Sequence, residues 1–236
     1  MNILNINPQI RHLYDMKEVV FDKEWLQTAP NIDLYYMYRN LSENTEDKAK
    51  LTEQDFRYDI TVMPFNMLGK EFVKTAGHIH SLVPDTNITY PEIYEVLDGK
   101  GLFLIQSLQN NTIKDVYFIQ AQKGDKVIVP PNYSHIMINI GPAELKTANM
   151  LSENCQNEYE IIKEKNGFCY FGLKKDHQEV EWIKNEKYSD TPEIRITENK
   201  PLLDKFGISN EESLYSLINN PIKLDFLKNP QSYSWE

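Results

Sequence analysis

Between Tyr58 and Leu173 short apolar runs alternate with turn-forming residues. Ile60 to Met63, Phe72-Val73, Ile93 to Leu97, Leu102 to Ile105, Val116 to Ile119, Val127 to Val129, Ile136 to Ile140 and Phe168 to Leu173 are rich in β-branched and aromatic side chains. Gly69, Gly77, Asp98-Gly99, Gly101, Asn110-Asn111, Gly124, Asn132 and Gly141-Pro142 punctuate them. Many short strands with regular turn signals predict a mainly β fold, an antiparallel sandwich or barrel. Asp98 to Gly101 and Gln109 to Asn111 read as hairpin connections. Pro130-Pro131 offers no ladder donors, so it predicts a strand end and a turn at the barrel mouth.

The flanks differ. Residues 1–56 are polar and mixed, and Ser42 to Glu53 is strongly charged without an apolar stripe, as in a solvated loop or surface helix. After about residue 175, Asn210 offers an N-cap ahead of Glu211, Glu212 and apolar residues at helical spacing. Pro221 to Leu227 predicts a second short helix. The division expected is an extension over 1–56 packed on the barrel or a dimer partner, a barrel over 57–175, and a helical appendage over 176–236.

Composition narrows the function. Apolar residues make up 41% of the 236 positions, enough for a core, and the net charge is −10. That balance argues against nucleic acid or an anionic membrane as partner. It leaves an anionic small molecule open, because a metal or a few backbone amides reverse the local field. The first residues lack a basic segment followed by an apolar one, and no apolar run approaches the roughly 20 residues of a membrane span. Cys155 and Cys169 are too few for a disulfide framework and read as free thiols of a cytoplasmic protein.

Candidate chemistry lies in the strand-rich part. His78 and His80, one residue apart on a strand, point to one side. Glu92 and Tyr94 share a face of the next run, and Glu95 points the other way. His135 follows the Pro-rich strand end. Two imidazoles side by side on a buried face each need a partner, and one divalent cation satisfies both. His78, His80, Glu92 and His135 are therefore the expected ligands of a mononuclear metal site.

Gly124-x5-Pro130-x-Asn132-x2-His135-x3-Asn139 resembles the second cupin motif, with Asn at its usual second Gly. His78-x-His80 with Glu92-x6-Gly99 resembles the first, with a longer gap. Arg57-Tyr-Asp-Ile-Thr61, Gly69-x-Glu-Phe-Val-Lys74-Thr75-x-Gly77-His78-x-His80, Pro91-Glu92-x-Tyr94 and Val129-Pro-Pro131 are similar to the cupin-type glucose-6-phosphate isomerases. The specific part spans residues 57 to about 160.

The resemblance implies a cupin jelly-roll barrel and reversible exchange between glucose 6-phosphate and fructose 6-phosphate. It implies metal ligation by His78, His80, Glu92 and His135, with iron(II) usual and manganese, nickel or zinc able to substitute. It puts the substrate's phosphate on Thr61, Thr75, the Gly77 backbone and Tyr94, favours Glu92 as general base with a metal-promoted direct hydride shift as the alternative, and brings Tyr159 near the sugar. It also implies a homodimer. Leu151 and Asn157 stand where compact family members carry a tyrosine and a histidine, and Ser81 to Thr89 is an insert, either a lid or a longer hairpin. A related phosphosugar, an iron-dependent cupin dioxygenase and a non-catalytic sugar-binding cupin are the competing readings. Lys74, beside the phosphate residues, either adds charge there or is a solvated surface lysine.

Overall fold

The structure is a computed structural model describing residues 1, 3–109, 112–176 and 179–235. The predicted turn residues Asn110 and Asn111, together with His177, lie outside these. In chain order the strands are β1 (Gln9–His12), β2 (Asp33–Tyr38), β3 (Phe56–Met63), β4 (Met67–Leu68), β5 (Glu71–Phe72), β6 (Ile79–His80), β7 (Glu92–Asp98) and β8 (Lys100–Gln109). They continue as β9 (Thr112–Gln122), β10 (Lys126–Val129), β11 (Ser134–Asn139), β12 (Leu145–Ser152), β13 (Asn157–Glu158), β14 (Tyr170–Lys174), β15 (Val180–Lys184) and β16 (Arg195–Ile196).

A six-stranded sheet, β1-β2-β3-β12-β7-β10, and a four-stranded sheet, β11-β8-β9-β16, enclose one core. Residues 74 to 78 run along β11 through bridges from Lys74 to Ile138 and from His78 to His135, which brings β6 into the wall. This is a cupin jelly roll: mainly β, with two sheets packed through alternating inward side chains.

Strand β7 shows how alternation builds the site. Tyr94 and Val96 belong to the core between the sheets, whereas Ile93 and Leu97 belong to a second core on the sheet's outer side. That second core is closed by Leu203, Ile208, Leu214, Leu217, Leu224, Phe226 and Leu227 of the C-terminal segment. Glu95 lies on this outer side as expected, but it is buried and accepts a 2.7 Å hydrogen bond from the Leu214 backbone N–H.

Several local expectations change. The piece from Asp98 to Gly101 links β7 in one sheet to β8 in the other, so it is a crossover between layers and not a hairpin. Gly99 takes φ +82°, and a Cβ there would lie 2.2 Å from the Glu144 carbonyl oxygen, which fixes glycine at the position. Asn210 caps no helix: its side chain accepts from the Lys126 backbone N–H at 3.0 Å, tying the C-terminal segment to β10. The two predicted C-terminal helices are 3₁₀ turns, Tyr215–Asn219 and Pro221–Leu227. Lys74 is no surface lysine. It is buried at 3% exposure, ion-paired with the equally buried Glu71, and donates to the Val19 carbonyl at 2.8 Å. The N-terminal residues supply β1 and β2 to the six-stranded sheet, and residues 145–152 form β12 at its centre.

Candidate metal centre and its cavity

Three elements deliver the expected ligands. The bridged stretch 78–80 carries two imidazoles, the start of β7 carries Glu92, and the second residue of β11 carries His135. One ligand atom from each of His78, His80, Glu92 and His135 lies within 4.8 Å of every other. His80, Glu92 and His135 are buried, and His78 is partly open to the cavity. Nε2 of His78 and Nε2 of His80 stand 3.2 Å apart, and Glu92 Oε2 lies 3.3 Å from His80 Nε2 and 3.1 Å from His135 Nε2.

The donor set fits a divalent cation. His80 Nδ1–H donates to the Tyr90 carbonyl at 2.8 Å, which leaves Nε2 to present its lone pair toward the cluster. Glu92 is positioned from both sides: Asn149 Nδ2 donates to Oε1 and the Tyr94 hydroxyl to Oε2, each at 2.7 Å. Lone pairs and a carboxylate aimed at one point are costly without a positive charge between them. Three imidazoles and a carboxylate suit iron, manganese, nickel or zinc alike.

Protonation follows from the same packing. Burial, then the neighbouring His135 and His80, hold His78 well below the ordinary histidine value, and burial lowers His135 too. For His80 burial acts downward, but Cys155 and Glu92 outweigh it and raise the imidazole well above its usual value. Burial likewise pushes Glu92 upward, and hydrogen bonds from His135 and His80 reverse this, holding the carboxylate well below its usual range. The packing thus raises the basicity of His80 while lowering that of Glu92. A cation competes with a proton for the His80 nitrogen. Metal binding should therefore release protons, read by calorimetry in buffers of different ionisation enthalpy, and affinity should fall as pH falls. Buffer-independent heats would show His80 already neutral.

The cavity beside the cluster is lined by Thr61, Thr75, Gly77, His78, Glu92, Tyr94 and Tyr159. Thr75 Oγ1 accepts from the Met137 N–H at 3.0 Å, which leaves its own O–H to donate into the cavity. Gly77 takes φ +79°, and a Cβ there would sit 2.5 Å from both Ile136 and Phe168, so the chain passes the cavity in a form reserved for glycine. The Tyr94 hydroxyl, besides its bond to Glu92, lies 3.0 Å from His135 Nε2. The Tyr159 ring stands 5.5 Å from that of His78, and its hydroxyl lies 3.4 Å from Asn157 Nδ2. Leu151 and Asn157 line the same space. The insert 81–89 folds as a hairpin closed by the Leu82–Thr89 bridge, with Val83 packed on Tyr90, Leu151 and Cys155.

Further residues of the wall are Tyr35, Met37, Arg39, Arg57, Ala76, Met137 and Asn149. Tyr35, Met37 and Asn149 sit on β2 and β12, where inward positions alternate with outward Tyr36, Ala148 and Met150.

Known proteins bear on the chain as follows. A family model described as glucose-6-phosphate isomerase (GPI) matches residues 10–192. The glucose-6-phosphate isomerase of Thermococcus litoralis is 30% identical over 164 residues, 69% of this chain and 79% of that protein. That of Pyrococcus furiosus is 28% identical over 180 residues, 76% of this chain and 87% of the relative. Among solved structures, vicilin from hazelnut (Corylus avellana) aligns at a TM-score of 0.42 with 11% identity, over 66% of this chain and about a third of its own length, 35%. The family match runs from β1 past β15, through every ligand of the cluster and every cavity residue named above. The chain belongs to the glucose-6-phosphate isomerase (GPI) family.

Proposed function

We propose that the chain interconverts glucose 6-phosphate and fructose 6-phosphate using one divalent metal held by His78, His80, Glu92 and His135. Iron(II) is the preferred ion, with manganese, nickel and zinc compatible. The observation that carries the reading is the convergence of those four ligand atoms within 4.8 Å, beside a cavity bearing hydroxyl and amide donors. When bound, the cation supplies Lewis-acid polarisation of the substrate carbonyl and stabilises the enediolate's charge.

The chain's own groups do the rest. Thr61, Thr75 and the Gly77 N–H receive the phosphate as neutral donors that suit a dianion without burying a counter-charge, and Tyr94 lines the cavity beside them with its one hydroxyl hydrogen held by Glu92. Glu92 takes the C2 proton and returns it to C1. Asn149 holds one of its oxygens and so fixes the orientation of the carboxylate. Tyr159 orients the sugar next to His78. This chemistry assigns the protein to glycolysis and gluconeogenesis in the cytoplasm, supported by two buried free thiols, Cys155 and Cys169. A homodimer is supported by the open edge of the six-stranded sheet at β1, where Ile10 is 39% exposed. No helix among the described residues is long and apolar enough to cross a membrane.

The test is an anaerobic isomerase assay on chelated protein, with metals restored one at a time in deuterated water. Turnover of fructose 6-phosphate should return with metal and place solvent deuterium in the product. Turnover without label removes Glu92 as base, and no turnover with any metal ends the isomerase reading.

A further inference from the structure

The chain has four arginines, and three of them, Arg11, Arg39 and Arg57, stand on or beside the first three strands of the six-stranded sheet, against the cavity. Lysine supplies the other cations, yet no lysine is among the cavity's described lining residues. Arginine differs from lysine in presenting a planar fork of donors that matches a carboxylate or an enediolate.

Asp59 organises two of the three. Its side chain is fully buried, and Oδ2 accepts from Arg39 Nη1 at 2.6 Å and from Arg57 Nε at 3.0 Å, while Oδ1 accepts from the Asn40 N–H at 2.9 Å. One carboxylate faces two guanidinium groups, so one positive charge is left over beside the cavity. Arg39 Nη2 rests on the Met37 sulfur at 3.1 Å. Arg57 bonds Asp59 through Nε, lines the cavity, and also lines the adjoining cleft with Gln9, Asn40 and Gln156.

Register gives the direction. Arg57 pairs with Leu151 and Thr61 with Thr147, so the two lie four residues apart on the inward row of β3, about 13 Å at strand spacing. On the neighbouring strand Met150 pairs with Ile93, which puts Leu151 and Arg57 on the Glu92 side. A substrate whose phosphate sits at Thr61 therefore has its carbonyl end toward Arg57.

We propose that Arg57, braced by Asp59 and backed by the charge of Arg39, contacts the C1 end of the open-chain substrate and holds the negative charge that develops on O1. Preorganised donors aimed at developing charge are worth most in a water-poor site. The inference rests on the isomerase reading and adds a specificity-determining contact to it.

Two probes that differ only at C1 test it: 6-phosphogluconate, with a carboxylate there, and sorbitol 6-phosphate, with an alcohol. Calorimetry on the metal-loaded protein should show wild type preferring the carboxylate. Arg57→Gln should reduce that preference roughly 10- to 100-fold, the range of a charge-assisted hydrogen bond, and leave sorbitol 6-phosphate within about threefold. Arg57→Lys keeps a cation beside Asp59, and so the local fold, but loses the fork and should lose most of the preference as well. Equal weakening of both probes would mean that Arg57 holds the phosphate, and unchanged preference that it touches neither; each overturns the proposal. Wild type that isomerises fructose 6-phosphate while the variants keep the preference defeats this inference alone. Wild type that neither isomerises nor binds either probe defeats the isomerase reading, and this inference with it.

Discussion

Glu92→Gln should fold, lose most of its bound metal, and lose isomerase activity by about a thousandfold or more, the combined scale of a metal ligand and a general base. The reason is geometric. Oε1 accepts from Asn149 and Oε2 from Tyr94, and Oε2 also meets His80 and His135. An amide oriented to keep the Asn149 bond turns its NH₂ toward the cation position. Flipped, it presents NH₂ to the NH₂ of Asn149. Neither orientation restores a charged oxygen to the cluster. Metal content by elemental analysis and turnover with metal in excess are the two measurements. A variant that keeps its metal and stays within tenfold of wild-type turnover would remove Glu92 from both roles.

Lys74→Ala should destabilise the fold by about 3–5 kcal/mol, because Glu71 is left as an uncompensated buried charge. For a chain of this size that lowers the melting temperature by roughly 10 °C or more. Glu71 is 1% exposed, its other oxygen accepts from the Phe21 N–H at 3.0 Å, and burial already raises its pKa above the usual value despite Lys74. In the variant that rise grows. Between the unfolded and the raised folded pKa the native state binds more protons than the unfolded one, so stability increases as pH falls. The deficit relative to wild type should therefore shrink toward acid pH. The double change Lys74→Met with Glu71→Leu should recover most of the loss, since a buried pair contributes little net stability over an apolar replacement. Thermal melts across pH check all three statements, and a single variant within 1 kcal/mol of wild type would contradict them.

The sites that could be read from the sequence were those set by local periodicity. His78 and His80 share a side, and Glu92 and Glu95 part to opposite faces, because strand side chains alternate wherever the strand sits. What failed did so for a different reason. Strands β2 and β12 went unnoticed because their inward positions are polar or functional: Tyr35, Met37 and Arg39 on or just past one, Thr147 and Asn149 on the other. A strand whose buried face is a binding cavity does not announce itself by alternating oil and water. The place of Lys74 stays open in the sequence because its partner Glu71 and the Val19 carbonyl that takes its second bond come together only in the packed chain. The Asp98-Gly99 turn carried a hairpin's residues and makes a crossover, since turn chemistry fixes the bend and leaves open which strand lies alongside. Arg57 and Asp59 could be quoted from a motif, but their pairing with Arg39 needs the β2–β3 register.

Strand β7 has Glu92 on one flank and a floor for the last thirty-odd residues on the other. Anyone trimming this protein for crystallisation, or fusing a tag through a stiff linker, would be working on the reverse side of the metal centre. Clipping after residue 200 would strip the greasy underside of the very strand that holds the carboxylate, so a shortened form should aggregate and release metal together. Limited proteolysis of the tail, followed in time against metal loss, would register as one event and not two.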